Sequence, residues 1–442
     1  MTREGSTPGA SRRRVLALVG TAMLSGCNDV PRLGSGSESA PTIEATRLQS
    51  AVADDRPSVP GRLPVEIAPA FLDRSFDRAQ RFLDAVPSSL DSQQIPNGAI
   101  RRELSREHER AAEQVERARD APTAFERLSK IRHARSDARY VAGAWRFIDG
   151  DATRDSMRAA ASEVAAEVET AVADHTLVGE DRVRATRVHA AVGRLLDGAA
   201  EWAEIPERPR RYAADNPLAV GEAAEDLERA VSSLENAVHI LERFESSLDA
   251  GRDLTPVVTD AREALRDDLE DVETTLAAID PEAPWGDADV GQTALGDAID
   301  DLYQRVRPER RFENVPSSAP AQDLLWIHET LALVRGFERL RERAANDPVR
   351  ITTAGDVRTV RSEAIEAVRA SRDETPESEL TRPVLSRLAS RLAHADRRIQ
   401  RQSGDVDPDR VRYEVADYFR VTAVARELPD VSNRVAATIR GA

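Results

Sequence analysis

Residues 217–250 read PLAVGEAAEDLERAVSSLENAVHILERFESSLDA, and this stretch decides the fold class of the 442-residue chain. Leucine recurs at every seventh position, and smaller apolar residues fill the alternate heptad positions: Leu227, Leu234, Leu241, Leu248, Ala224, Val231 and Val238. Such a heptad is typical of helices that pack along a narrow apolar seam. At a rise of about 1.5 Å per residue, one helix over the whole stretch would be about 50 Å long.

A second helix is predicted directly after the heptad stretch. Gly251 and Pro256 indicate a turn, and Leu265, Leu269 and Leu276 then recur at helical spacing. Because the connection is short, the two helices are expected to form an antiparallel hairpin.

Helical spacing continues along the chain after residue 71, without the strict alternation that marks strands. Aromatic residues make up only 4% of the chain and the apolar residues are mostly Ala, Val and Leu, which suits thin seams between helices better than one large core. We therefore predict an all-α body over residues 71–442, an elongated bundle of antiparallel helical hairpins with coiled-coil-like seams. Proline and glycine in residues 281–290 mark a candidate subdomain boundary.

The composition limits the partners that the chain can have. Its formal net charge is −16, and Lys130 is the only lysine among 62 basic residues. Nucleic-acid phosphates require a positive surface, so we expect no nucleic-acid partner. An excess of carboxylates, with arginine in place of lysine, resembles the composition of proteins from halophilic archaea. In high salt, carboxylates hold water and cations while the salt screens longer-range charge interactions.

A short apolar run near the N-terminus has the features of an export signal. Arg12, Arg13 and Arg14 precede the uncharged run Val15–Gly26. As a helix, this run would span about 18 Å, less than the roughly 30 Å of a bilayer hydrocarbon core. A positive region followed by a short apolar region and small residues is typical of a cleaved signal peptide. A buried core helix is the competing interpretation, but core helices seldom follow clustered positive charge at the start of a chain.

Two motifs make this assignment more specific. Ser11-Arg12-Arg13-Arg14-Val15-Leu16 resembles the twin-arginine export signal, with Arg12 and Arg13 as the arginine pair. The four residues Leu24-Ser25-Gly26-Cys27 resemble the lipobox of prokaryotic lipoproteins. Together these resemblances imply twin-arginine translocation of a folded protein, removal of residues 1–26 as a signal peptide, and attachment of a lipid to the Cys27 thiol.

The lipid anchor agrees with the chemistry of the residues around it. Cys27 is the only cysteine, so no internal disulfide can form, and a catalytic role would require a partner base in a folded pocket. Residues 27–70 are rich in Pro, Gly, Ser and acids and lack a periodic apolar face, so we predict a flexible, lipid-anchored spacer, in which residues 42–53 could hold a short helix. The protein is then an extracytoplasmic lipoprotein, whose lipid on Cys27 is its membrane anchor at the outer face of the cytoplasmic membrane.

His239 and Glu242 are the best candidate metal ligands in the sequence. Three residues apart on a helix, they share one face, which is how helical bundles present metal ligands. The sequence His239-Ile240-Leu241-Glu242 resembles the Gly-x-His-x-x-Glu motif of imelysin-like proteins, with Ala237 in place of the glycine. Those proteins are exported, all-helical and linked to iron uptake, so the resemblance implies a metal ion at His239 and Glu242. The alternative is an ordinary surface pair beside the heptad seam.

The remaining motifs favour binding over catalysis. The sequence has no Gly-rich phosphate loop, cysteine cluster or His-Glu-x-x-His, so no catalytic residue and no other cofactor is predicted. Arg208–Arg211 could hold an anion, but arginines at helix ends also offset the helix dipole. We expect a non-enzymatic interaction scaffold that binds an envelope protein or surface component. The alternative is an exported metal- or solute-binding helical protein that uses His239 and Glu242.

Cys27→Ser tests the anchor. Without the thiol no lipid can be attached, so we expect the variant to leave the membrane fraction or to keep its signal peptide. Cell fractionation and apparent mass on an immunoblot report these outcomes, and Ser37→Ala, outside the motif, should behave as the wild type. Unchanged membrane attachment and size in Cys27→Ser would contradict the anchor.

Overall fold

The computed structural model describes residues 42–307, 319–375 and 378–442. These residues contain thirteen α-helices and four two-residue strands, which confirms the all-α fold class. The predicted signal peptide and Cys27 lie outside the described residues. Among the described helices, none combines the length and apolarity needed to cross a bilayer.

The helices follow one another with short connections. The first seven are α1 Ala45–Ala51, α2 Pro69–Asp84, α3 Gly98–Arg119, α4 Ala124–Ile148, α5 Arg154–Asp174, α6 Arg182–Ala203 and α7 Pro217–Glu245. The other six are α8 Thr255–Ala277, α9 Ala294–Val306, α10 Pro320–Asn346, α11 Ala354–Glu374, α12 Thr381–Gln400 and α13 Arg412–Gly441. The strands are β1 Ile43–Glu44, β2 Val178–Gly179, β3 Arg252–Asp253 and β4 Asp405–Val406. Strand β1 pairs antiparallel with β4, and β2 pairs antiparallel with β3.

Side-chain caps fix where many of these helices begin. A side-chain oxygen of the capping residue accepts a hydrogen bond from a backbone N–H of the first turn, which otherwise lacks a partner. Seven helices begin in this way, at Asn97, Thr123, Thr153, Asp181, Asn216, Thr293 and Thr353.

Helix α7 lies at the centre of the first half of the body, packed against α4, α5 and α6. Two glycines allow α4 and α7 to approach closely. A Cβ on Gly143 would lie 2.4 Å from the Cβ of Ala224, and a Cβ on Gly221 would lie 2.9 Å from the carbonyl oxygen of Tyr140. Larger residues at either glycine would push the two helices apart, so this crossing requires that both positions have no side chain.

The predicted hairpin between the heptad helix and its return helix is wrong. Helix α8 packs against α10 and α13, whereas α7 packs against α4, α5 and α6. The connection does not fold into a tight turn because its residues in β3 pair with β2. Since α7 is covered from several sides, its buried residues extend beyond one heptad seam: Val238, a predicted seam residue, is 39% exposed, while the neighbouring His239 is buried.

The predicted spacer over residues 27–70 is wrong for its second half. Leu48 and Ala51 of α1 are fully buried, and α1 packs against α11 and α12. Beyond α1, Val59, Leu63 and Ile67 belong to the main apolar core. These apolar residues are separated by prolines and do not repeat at a fixed spacing, so the sequence pattern did not reveal that they are buried.

The body is also less divided than the sequence indicates. Residues 41–442 form one compact unit, so the predicted boundary at residues 281–290 does not separate two domains. Val290 is buried in the main core, and Trp285 packs against that core. This loop is therefore anchored to the body by its apolar side chains.

One buried ion pair lies in each half of the body. Nη2 of Arg135 lies 2.6 Å from Oε1 of Glu228 and joins α4 to α7. In the second half, Arg361 of α11 donates hydrogen bonds of 2.9 and 3.0 Å to the carboxylate of Asp396 in α12. The hydroxyl of Tyr418 donates a third hydrogen bond, 2.6 Å long, to Asp396. Both pairs are almost fully buried, so each charge depends on its partner for compensation.

Leu48→Ala tests whether α1 belongs to the folded body. Its side chain is fully buried, so we expect the free energy of unfolding to fall by about 2–4 kcal/mol in denaturant titration. The control is Arg47→Ala, an exposed neighbour on the same helix, which should change stability by less than about 0.5 kcal/mol. Equal, small effects of both variants would restore the spacer interpretation of this segment.

Candidate functional site

A polar cavity of about 340 Å³ lies between α3, α4, α7 and the loop over residues 204–216. Its volume falls in the lower part of the range of small-molecule sites. Six carboxylates, four arginines and two tyrosines line it: Glu103, Glu107, Asp137, Glu222, Glu225, Asp226, Arg110, Arg210, Arg211, Arg229, Tyr140 and Tyr212. We call the six carboxylates the acidic floor and the four arginines the arginine rim.

The acidic floor is built from three helices. Glu222, Glu225 and Asp226 are at positions i, i+3 and i+4 of α7, so they lie on one face of that helix. Asp137 comes from α4, which the close glycine crossing holds against α7. Helix α3 contributes the remaining two acids. The floor is largely shielded from solvent: the side chain of Asp226 is 8% exposed.

Three of the four rim arginines, Arg110, Arg210 and Arg211, are more exposed than the floor. The side chain of Arg211 is 80% exposed, and it lies 3.8 Å from Glu222. Arg210 lies 3.5 Å from Asp226, and Arg229 forms a close ion pair with Glu225. The cavity therefore has its acids inside and three of its arginines near the mouth, while Arg229 lies deeper, beside Glu225.

Trp202, near the end of α6, helps to position two rim arginines. The guanidinium groups of Arg229 and Arg210 lie 4.5 Å and 5.7 Å from the centre of its ring, in cation–π geometry. Arg154 holds the loop that carries Arg210, because its Nη1 donates a 2.5 Å hydrogen bond to the carbonyl of Glu207. The rim is thus supported by neighbours outside the cavity.

Burial perturbs the titration of the three floor acids that α7 contributes. It raises the pKa of Glu225 to about 7, and the charges of Asp137 and Asp226 add to this effect while Arg229 opposes it. Burial also raises the pKa of Asp226 and of Glu222 above their ordinary values. The rim arginines therefore compensate the floor incompletely, so the site would be stabilised by further positive charge or by protons.

The two phenols close one side of the cavity. Tyr140 is the more buried of the two, and burial together with Tyr212 raises the pKa of Tyr140. Tyr140 therefore stays a neutral hydrogen-bonding group beside the acidic floor.

The structure gives His239 a different role from that of a metal ligand. Its Nε2 accepts a 3.2 Å hydrogen bond from the backbone N–H of Ala68, and its ring stacks on Phe71 at 4.0 Å. Glu242 is exposed on the same helix. No group of three or more metal-ligating side chains is found in the described ranges. His239 thus joins α7 to the start of α2, and its contacts do not favour the predicted metal site.

The cavity itself was not predicted. Arg208–Arg211 was considered as an anion site, but Arg210 and Arg211 lie beside acids of α7. The only trace of the cavity in the sequence is the spacing of Glu222, Glu225 and Asp226. This spacing is equally typical of the solvated face of an acidic helix. Only the packing of α3, α4 and the loop over this face shows that it is enclosed.

Two family models divide the body between them. Residues 70–251 match a model described as Domain of unknown function (DUF8262), and residues 255–437 match one described as Domain of unknown function (DUF8264). The cavity lies entirely in the first matched region, and the change of model coincides with β3. No curated protein and no solved structure matches the chain.

Glu225→Gln tests the charge deficit of the floor. The raised pKa means that folded Glu225 binds a proton more tightly than unfolded Glu225. Its contribution to stability is therefore complete below about pH 4.5 and is lost as the pH rises to about 7. Glutamine does not titrate. Relative to the wild type, the free energy of unfolding of the variant should therefore rise by about 2–3 kcal/mol between pH 4 and pH 8.

Denaturant titrations at several pH values between 4 and 8 measure this difference. Glu245→Gln, an exposed residue on the same helix, is the control and should follow the wild type. A difference between Glu225→Gln and wild type that stays constant with pH would show that Glu225 titrates normally.

Proposed function

We propose that this protein binds a small organic cation in the acidic cavity and is held at the outer face of the cytoplasmic membrane by a lipid on Cys27. The observation that carries the ligand proposal is the buried acidic floor, in which the pKa values of Glu222, Glu225 and Asp226 are raised. The anchor rests on the twin-arginine and lipobox resemblances. An anchored binding protein of this kind would hold solute close to the membrane surface.

The charge of the cavity favours a cation over other ligands. A bound amine or guanidinium would supply positive charge next to Glu225, favour its ionised form and donate hydrogen bonds to its carboxylate. Rim arginines could at the same time pair with a carboxylate on the same ligand, so a basic amino acid also fits. A bare metal ion is less favoured, because the described acids do not form a group of three converging ligands.

The described surface gives less support to the scaffold hypothesis. Stable protein docking usually relies on clustered apolar or aromatic anchors. In the described ranges, the exposed large apolar residues are Val172, Val238 and Tyr413, which come from three different helices. The net charge of −16 instead attracts small cations to the molecule.

Isothermal titration with free arginine, lysine and putrescine tests the ligand class. We expect affinity to rise by about tenfold between pH 6 and pH 8, because binding requires ionised Glu225. In Glu225→Gln the affinity should be weaker and independent of pH. Citrulline, which matches arginine in size but lacks its positive side chain, should bind more weakly than arginine.

Two results would overturn the proposal. One is the absence of binding by all three cations at millimolar concentration. The other is equal binding of arginine and citrulline, which would show that the acidic floor does not select charge. The control variant Glu245→Gln should bind the cations as the wild type does.

A further inference from the structure

Arg187 of α6 is buried, and no carboxylate of the described residues forms an ion pair with it. Only 4% of the residue is exposed, and its Nε and Nη1 have no hydrogen-bond partner in the part of the chain that the structure describes. Arg135 and Arg361 are equally buried, but each is paired with a carboxylate. Burying an unpaired guanidinium is costly, so a charge that lies outside the described chain would stabilise this residue.

The surroundings of Arg187 add positive charge. Arg194 is seven residues further along α6, on the same face, and Arg387 comes from α12. Burial lowers the pKa of Arg187 to about 10, with Arg194 and Arg387 contributing in the same direction and Glu379 opposing them. Arg387 is itself paired with Glu329 at 2.7 Å. Arg194 and Arg387 thus add positive charge near Arg187, in a chain whose net charge is −16.

We propose that Arg187, with Arg194 and Arg387, binds a small oxyanion such as phosphate or sulfate. The planar guanidinium donates two parallel hydrogen bonds to an oxyanion, and the nitrogens without partners are the donors that such a bond requires. The site is separate from the acidic cavity, so it does not depend on the proposed cation ligand. It spans the two matched regions, because Arg187 and Arg194 lie in the first and Arg387 in the second. The bound anion would therefore link the two halves of the body.

The exposure of the three arginines favours a free ion over a lipid headgroup. Arg387, with a side chain that is 57% exposed, and Arg194 lie near solvent, while Arg187 lies beneath the surface. Binding at the buried Arg187 would require a ligand small enough to pass beneath the exposed pair, which a free phosphate or sulfate ion is and a headgroup held in a flat bilayer is not.

Thermal unfolding of the full chain against inorganic phosphate, at constant ionic strength, tests the site. We expect the wild-type Tm to rise with phosphate along a saturable curve. Arg187→Met should lose this response, and Arg387→Met should weaken the apparent phosphate affinity by about tenfold. Arg335→Met is the control, since Arg335 is exposed and pairs with Glu338 on its own helix, and its response should match the wild type.

Arg187→Lys provides a second variant, because it keeps the charge but loses the two-donor geometry. It should fold and bind phosphate at least about tenfold more weakly than the wild type. Vesicles of phosphatidylglycerol, at the same phosphate concentration, separate a headgroup from a free ion and should not raise the Tm. The proposal is overturned by an unchanged phosphate response in both Arg187 variants, by no response in the wild type, or by a response to vesicles alone.

Discussion

The close crossing of α4 and α7 is the contact on which the rest of the first half depends. It exists because Gly143 and Gly221 leave no side chain between the two backbones. The same crossing brings Arg135 to Glu228 and holds Asp137 beside the acidic face of α7. A helix that is covered on several sides must bury some of its polar residues, and in α7 those residues form the ion pair and the acidic floor.

Buried charge is handled in two ways in this molecule. Where a carboxylate meets a guanidinium directly, as in Arg361 and Asp396, the charges compensate each other and hold helices together. Where a buried charge is compensated only in part, the folded state is less stable, and a bound ligand of opposite charge would remove this destabilisation. Burial raises the pKa of Glu225 although Arg229 pairs with it, and Arg187 forms no ion pair within the described residues, so we expect the two proposed sites to prefer ligands of opposite sign.

The sequence predicted the helices better than their packing. Apolar residues at helical spacing and capping residues such as Thr153 act locally, so most helix positions could be predicted. The helices that pack against α7 could not be predicted, because the pairing of β2 with β3 changes the direction of the chain after α7. The cavity could not be predicted for a related reason, because Glu222 and Glu225 have the same spacing whether their helix face is solvated or covered. In the same way, the sequence around His239 does not show that its hydrogen-bond partner is the backbone of Ala68.

The central claim is that the acidic floor carries a charge deficit which a cation fills. The most direct measurement is an NMR titration of the Glu225 side-chain carboxyl carbon, with and without saturating putrescine. In the free protein the pKa should be about 7, and it should fall when putrescine binds, because a nearby positive charge favours the carboxylate. An ordinary pKa in the free protein, or a raised pKa that putrescine leaves unchanged, would contradict this explanation of the cavity.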